Sequence, residues 1–377
     1  MKKSVLVSLL AVLSLASCGN TNNQGGTLGT PSTLKIAMLT DAGSIDDGSY
    51  NQTTWTSIKA YEAANKDKVT EVKYYQPADS KTAAFEDSIM QAAKAGFNTI
   101  ICPGFYFAEA FEKVAETYPN IHFIGLDFTT ATEHKNVSTI TYKENESGVL
   151  AGYAAVIDGY RNLGFFGGMA QPAPIRYGLG YLYGAYYAAH ELGINDFSIN
   201  PKYVTYAGQY LADPKFTATG TSWYNDGVDV IFTAAGGAGD SIIAAADATK
   251  NHMIIGVDTD EANKSEAIIT SATKGLKTAV FNECDKILKG TFKGGAQTIG
   301  IKDNACDVVL GETARFKNKE TTVTKTQAFI NTLKAGTVTV PTYTEEDPSL
   351  STFKSGLQAL GFTASDALVN AILGQTK

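Results

Sequence analysis

The residues of this chain best suited to chemistry lie in loops that follow short apolar runs. Asp41–Asn51 (DAGSIDDGSYN) follows the run Leu34–Thr40. Within it Asp41 can accept from hydroxyl or N–H groups, Tyr50 offers a ring face for stacking, and the Asn51 amide suits the edge of a heterocyclic base. Asp127 and Asp258 each end an Ile-Gly-x-Asp stretch. A carboxylate so placed can accept both vicinal hydroxyls of a ribose through charge-assisted hydrogen bonds. A helix cap or surface ion pair is the plainer role and stays open. Lys274 can neutralise such a carboxylate and donate to a hydroxyl, or simply be solvated. Gly236–Gly239 can bring backbone N–H groups to a ligand at a helix N-terminus, or make only a tight turn. It is neither GxGxxG nor a phosphate loop. The loop aromatics Tyr50, Phe105 and Tyr210 suit clamping a flat heterocycle, at about 1–3 kcal/mol of stacking per ring. No GxSxG, no HExxH and no His/Cys cluster occurs. No enzyme, metal centre or cofactor is therefore expected.

The elements that must position these residues are short and alternating. Leu34–Thr40 reads as a strand buried on both faces. Asp41–Ser49, with two Gly and three Asp, reads as a loop in which Asp47 or Ser49 caps the next helix. Trp55, Ile58 and Tyr61 give that helix an apolar face. Tyr50 and Asn51 then sit at a helix N-terminus beside the carboxyl end of a strand, where open α/β sheets bind ligands. Val69–Gln76, Thr99–Cys102 and Ile121–Leu126 read as strands; Thr82–Ala95, Ala108–Tyr118 and Ser147–Tyr160 read as helices. The pattern then restarts. Leu163–Gly168, Tyr203–Tyr206, Val228–Ala234 and Met253–Val257 read as strands, Pro172–Pro174 as a loop, Tyr177–Leu192 and Asp240–Thr249 as helices. Lys274 is expected just before or at the start of a helix ending at Leu288. Thr326–Lys334 and Leu350–Leu373 read as surface helices. Thr99–Asp127 and Val230–Asp258 echo each other: strand, Gly loop, helix, strand, Asp. The echo predicts two like α/β domains whose Asp127 and Asp258 face one cleft, with chance likeness as the alternative.

The first residues read as an export signal, 1–17. Lys2 and Lys3 precede an apolar run, Val5–Ala16, too short to span a bilayer. Leu15-Ala16-Ser17-Cys18 resembles the bacterial lipobox, which implies cleavage before Cys18 and a diacylglycerol on its thiol. Residues 18–33, rich in Asn, Gly and Thr, read as a flexible tether. The expected location is the extracytoplasmic face of the cell membrane, with the lipid bilayer as a partner through acylated Cys18. The chain's charge of -7 argues against nucleic acid as a partner. Cys102, Cys284 and Cys306 are an odd set, so no disulfide scaffold is expected. A body of roughly 340 residues suits two domains.

DAGSIDDGSYN, VDVIFTAAGGAG at 228–239, GVDTD at 256–260 and the lipobox together resemble the basic membrane protein family, the PnrA-like substrate-binding lipoproteins of ABC transporters. The resemblance runs from Leu34 to about Pro341. It implies a type I periplasmic-binding-protein fold of two Rossmann-like lobes joined by hinge strands. The expected divisions are 34–142 plus 259–293 for the first lobe, 143–258 plus 294–345 for the second, and a helical tail at 346–377. Hinges are expected near Thr141–Glu144, Asp258–Glu261 and Phe292–Gln297. The resemblance also implies a monomer that captures a purine nucleoside and delivers it to an ABC permease. Tyr50, where the family usually has Phe, would stack on the base, as would Tyr210 in Gly208–Pro214. Asn51 and Asp127 would bond base edges, with Asp41 in the same wall. Gly236 and Gly237 would approach the sugar, and Asp258 beside Lys274 would take its hydroxyls. A riboflavin-binding branch of the family makes a flavin the alternative cargo; a nucleoside-processing enzyme is a further alternative for which no acid/base pair is assignable.

Overall fold

The computed structural model describes residues 28–41 and 43–375; the signal segment, Cys18 and most of the tether lie outside the described residues. In chain order come β1 (Leu34–Leu39), α1 (Tyr50–Ala64), β2 (Val69–Tyr75), α2 (Thr82–Lys94), β3 (Thr99–Pro103), α3 (Ala108–Val114), β4 (His122–Leu126) and β5 (Val137–Tyr142). They are followed by α4 (Glu144–Ile157), β6 (Leu163–Gly167), α5 (Pro172–Glu191), β7 (Val204–Tyr206), α6 (Pro214–Asn225), β8 (Val230–Ala234), α7 (Gly237–Thr249) and β9 (Met253–Asp258). The rest comprises β10 (Ile268–Lys274), α8 (Leu276–Leu288), β11 (Gly295–Ile299), β12 (Cys306–Val308), α9 (Lys319–Ala335), α10 (Ser351–Ala359) and α11 (Asp366–Ile372).

The strands form two six-stranded sheets, β11-β5-β4-β3-β1-β2 and β12-β10-β9-β8-β6-β7. Position by position the orders are the same, so the echo between the two halves is one of topology as well as sequence. β3, β4, β6 and β8 are buried along their whole length, as strands covered by helices on both faces must be. The only antiparallel pairing among the described strands is β12 on β10.

The chain changes lobe at three places: between β5 and α4, between β10 and α8, and between β11 and β12. The first lies at the expected hinge near Thr141–Glu144. The other two correct the expected divisions. β10, expected in the first lobe, pairs with β9 in the second sheet, and β11, expected in the second, pairs with β5 in the first. The reason is the repeat itself. Each lobe's fifth strand must pair with its own fourth before the chain crosses, β5 with β4 and β10 with β9. The second crossing therefore follows Lys274, not Asp258–Glu261. The third follows Ile299, beyond Phe292–Gln297.

Pro172–Pro174, β5, α6 and the tail differ from the sequence reading. Pro172–Pro174 is not a loop but the first turn of α5, where proline's missing N–H costs no hydrogen bond. Lys274 ends β10 and lies just before α8, as expected. β5 and α6 were not expected from the pattern. The tail is two helices, broken at Gly361, whose φ of 84° belongs to the left-handed region that glycine adopts freely.

The second lobe is built on a close helix pair. α4 carries Gly148 and Gly152; α5 carries Gly180 and Gly184. A Cβ at any of the four would lie 2.0–2.2 Å from a carbonyl oxygen of the partner helix. Only glycine lets the two backbones approach so nearly. This contact fixes the first turn of α4 against the first turn of α5, which matters for the site below. The tail closes the same lobe: Leu350, Phe353, Leu357 and Ile372 are fully buried, and Tyr206 donates to the Ile372 carbonyl at 2.6 Å.

Candidate binding cleft

All ten residues singled out in the sequence line one cavity between the lobes, of about 590 Å3: Asp41, Tyr50, Asn51, Phe105 and Asp127 from the first lobe, Tyr210, Gly236, Gly237, Asp258 and Lys274 from the second. It lies at the carboxyl ends of both sheets. Asp127 and Asp258 follow or end equivalent strands, β4 and β9, and both have left-handed backbones, with φ of 72° and 63°. Aspartate tolerates that region better than bulkier residues do.

The centre is the Lys274 ammonium. It lies 2.6 Å from Asp127 Oδ2, 3.5 Å from Glu144 Oε1 and 3.6 Å from Asp258 Oδ1. Its side chain is 3% exposed, and the rings of Tyr50, Tyr142 and Tyr177 stand 5.4–5.6 Å from it. Burial alone would depress its pKa. Asp127, Asp258 and Glu144 outweigh burial and hold it well above the ordinary lysine value. The carboxylates feel the opposite balance. Burial raises Asp258 and Glu144 above their usual range, with Lys274 opposing. Asp258 Oδ1 also accepts from the Tyr177 hydroxyl at 3.0 Å. Asp127 Oδ1 and Asp258 Oδ2 have no hydrogen-bond partner among the described residues, so each carboxylate is anchored through one oxygen and leaves the other unpaired.

At the first-lobe wall the loop chemistry is Asx-like. Asp47 accepts from the N–H groups of Ser49, Asn51 and Gln52, and so caps α1. Ser49 makes no side-chain cap bond. The Asn51 amide is fully committed: its oxygen accepts from the Asp41 N–H, and its nitrogen donates to Asp41 Oδ1 and Asp47 Oδ2. It holds Asp41 in place rather than standing free to read a base. Asp41 also accepts from the Gly43 N–H, which leaves Oδ2 without a partner among the described residues. Burial raises its pKa against the pull of these donors.

The opposite wall is made by glycines that admit Tyr210. A Cβ on Gly168 would meet that ring at 2.3 Å. A Cβ on Gly237 would sit 3.0 Å from the Tyr210 carbonyl, which accepts from the Ala238 N–H at 2.9 Å. The glycine run is thus both a tight turn and part of the cavity wall. The Tyr210 hydroxyl donates to Gln171 Oε1 at 3.2 Å. Phe105, 38% exposed, packs on Tyr106 at the rim.

Sequence reasoning missed Glu144, Arg176 and Tyr177. Glu144 is fully buried, and Arg176 Nε donates to its Oε2. These residues lie near the starts of two consecutive helices, α4 and α5, with β6 between them. The one signal that could have joined them is the pair of matched Gly-x-x-x-Gly spacings that brings α4 onto α5. Among the described residues no group of His, Cys, Asp and Glu is arranged to hold a metal ion. Cys102, Cys284 and Cys306 are buried free thiols. No helix among the described residues is long and apolar enough to cross a membrane.

A family model described as "ABC transporter substrate-binding protein PnrA-like", Bmp, matches residues 34–342. The chain belongs to the Bmp family. Bmp proteins are substrate-binding proteins of ABC transporters, and the cleft is of that type. Among relatives, the ABC transporter nucleoside-binding protein BmpA of Lactococcus lactis is 29% identical over 335 residues, covering 82% of this chain and 92% of BmpA. An uncharacterized lipoprotein of Pyrococcus furiosus is 27% identical over 312 residues, covering 79% of this chain and 74% of the relative. The crystal structure of an ABC transporter solute-binding protein from Aeropyrum pernix has the same fold, with a TM-score of 0.69 at 22% identity, covering 90% of this chain and 99% of that one.

Proposed function

We propose that this Bmp protein captures a purine nucleoside in the interlobe cleft and presents it to an ABC permease, held to the membrane by a lipid on Cys18. The observation that carries the reading is the pairing of aromatic walls with two half-free carboxylates. Tyr50 and Tyr210 come from opposite lobes, and Asp127 and Asp258 each keep one oxygen open across the Lys274 ammonium. A flat base and a vicinal diol carried on one molecule would use both features at once. The name of the Lactococcus relative supports the same cargo, and the lipoprotein relative supports the anchor.

A ligand that binds only the folded state raises its melting point by mass action. The purified chain, screened by thermal shift and calorimetry, is expected to respond to guanosine, inosine or adenosine and not to ribose. A response to riboflavin alone would overturn the nucleoside reading. Release of free base from inosine would overturn the receptor reading.

A further inference from the structure

A second chamber, of about 910 Å3, opens off the nucleoside cavity. The two share Phe105, Asp127, Ala173, Pro174 and Tyr210 as a common wall. The rest of the second chamber is built by the hinge. Lys143 comes from the first crossing and Lys302 from the third, and the first turn of α5 and the segment after α9 complete it.

Its cations keep free donors. Arg176 lines this chamber and not the neighbouring cavity. Its Nε is committed to Glu144, but neither Nη has a hydrogen-bond partner among the described residues, and the side chain is 20% exposed. Lys143 and Lys302 line the same space, and among the described residues neither ammonium lies within ion-pair range of a carboxylate. Each of the chamber's own carboxylates has one oxygen engaged. Asp127 Oδ2 is taken by Lys274 at 2.6 Å, and Glu146 Oε2 accepts from the Ile301 N–H at 2.6 Å. The 20-residue helix α5 also starts here, adding the partial positive charge of its N-terminus. A half-buried guanidinium with a free fork matches the paired oxygens of an oxyanion, and two flexible lysines at the rim can complete the neutralisation.

We propose that the hinge-side chamber is an anion subsite that takes a phosphate group, either carried on the sugar of a nucleoside held next door or free in solution. The ligand-borne form rests on the nucleoside reading above; the free form does not. A phosphate there would touch Lys143 and Lys302, which flank two of the three lobe crossings, so its occupancy would be felt where the lobes move.

The test uses the full chain in detergent, titrated with guanosine, guanosine 5′-monophosphate and inorganic phosphate, with chloride at matched ionic strength as the reference. The expected result is that the monophosphate binds about fivefold or more tighter than guanosine, or that phosphate raises the melting point where chloride does not. The first outcome identifies a ligand-borne group and the second a free anion. Lys143→Ala combined with Lys302→Ala, both at exposed positions, should erase that gain and leave guanosine affinity unchanged. Arg176→Gln should erase it as well. The subsite is overturned if monophosphate and phosphate do no better than guanosine and chloride, or if the double variant keeps the whole phosphate effect. Phosphate binding without guanosine binding would keep the subsite and retire the nucleoside reading.

Discussion

Replacing Lys274 by Met tests the electrostatic core of the cleft directly. Methionine nearly matches the stem of lysine but removes the charge that three carboxylates share at 2.6, 3.5 and 3.6 Å. Removing one partner of a buried ion pair costs about 3–5 kcal/mol, because the other charge stays buried and uncompensated. Arg176 still neutralises part of Glu144, which keeps the expected loss inside that range rather than above it. At about 2.1 cal/mol/K of unfolding entropy per residue, a body of roughly 340 residues converts this to a melting-point loss of about 4–7 °C. The loss should depend on pH. Burial already holds Asp258 and Glu144 above their ordinary pKa, with Lys274 opposing. Without Lys274 they rise further, so the folded variant binds more protons than its unfolded chain. Stability then falls as pH rises through the raised values. The deficit should be smallest near pH 5 and largest near pH 8. In the parent protein Lys274 itself has a raised pKa, so its contribution is complete at neutral pH and fades only in alkali. Differential scanning calorimetry of both proteins from about pH 5 to pH 8 measures the effect. A Lys274→Met protein with the parent's melting point across that range would refute a buried charge network at this site.

Asp258→Asn keeps the size of the side chain and tolerates the positive φ of 63°, so it removes charge with little backbone strain. Nucleoside affinity measured by calorimetry should fall at least about tenfold, the worth of one charge-assisted hydrogen bond; an unchanged affinity would remove Asp258 from the site. Tyr50→Phe should behave differently. The Tyr50 hydroxyl is buried with no hydrogen-bond partner, so deleting it should leave the melting point equal or slightly higher and change affinity by less than about threefold. Truncation after Thr344 removes α10 and α11. Each of the fully buried side chains Leu350, Phe353, Leu357 and Ile372 is worth about 1.5–3 kcal/mol of apolar burial. Thermal denaturation should show a midpoint lower by about 5 °C or more, even though the tail lies beyond the residues matched by the family model.

The cleft was legible in the sequence because its residues sit at the ends of buried strands, where loop chemistry is sparse and conspicuous. Asp127 and Asp258 could be paired from the repeated Ile-Gly-x-Asp alone. The lobe boundaries were not legible, because sequence order does not say where a strand enters a parallel sheet. β10 follows β9 and joins it at the sheet's far side, whereas β11 returns to a partner more than 150 residues earlier in the chain. Glu144 and Arg176 were invisible for a related reason. A buried ion pair between two helix starts leaves no periodicity in either helix; it depends on the backbone contact made through Gly148, Gly152, Gly180 and Gly184. Asn51 shows the converse. Its place in the loop was read from the sequence, but an amide flanked by Asp41 and Asp47 donates both its hydrogens to them, a commitment that sequence position alone does not show.

The chain's crossings decide how a ligand could move the lobes. Lys274 is the last residue of β10, just before the chain leaves the second lobe, and its bond to Asp127 spans the cleft. If the lobes part, Lys274 keeps Glu144 and Asp258 at 3.5 and 3.6 Å but loses Asp127, its nearest partner at 2.6 Å, so opening breaks the closest pair of the network. A ligand shifts an equilibrium between open and closed forms only by its difference in affinity for the two. A nucleoside stacked against Tyr50 and Tyr210, with donors for Asp127 Oδ1 and Asp258 Oδ2, would touch both walls only in the closed form. A free base, limited to the two rings, or ribose, limited to the two carboxylates, would bridge the walls with only part of those contacts and favour the closed form less. Small-angle scattering should therefore show a smaller radius of gyration with guanosine and a lesser change with ribose or guanine at equal occupancy. Equal compaction by either fragment would mean that the rings or the carboxylates alone suffice for closure, and the joint role of the two pairs would fail with it.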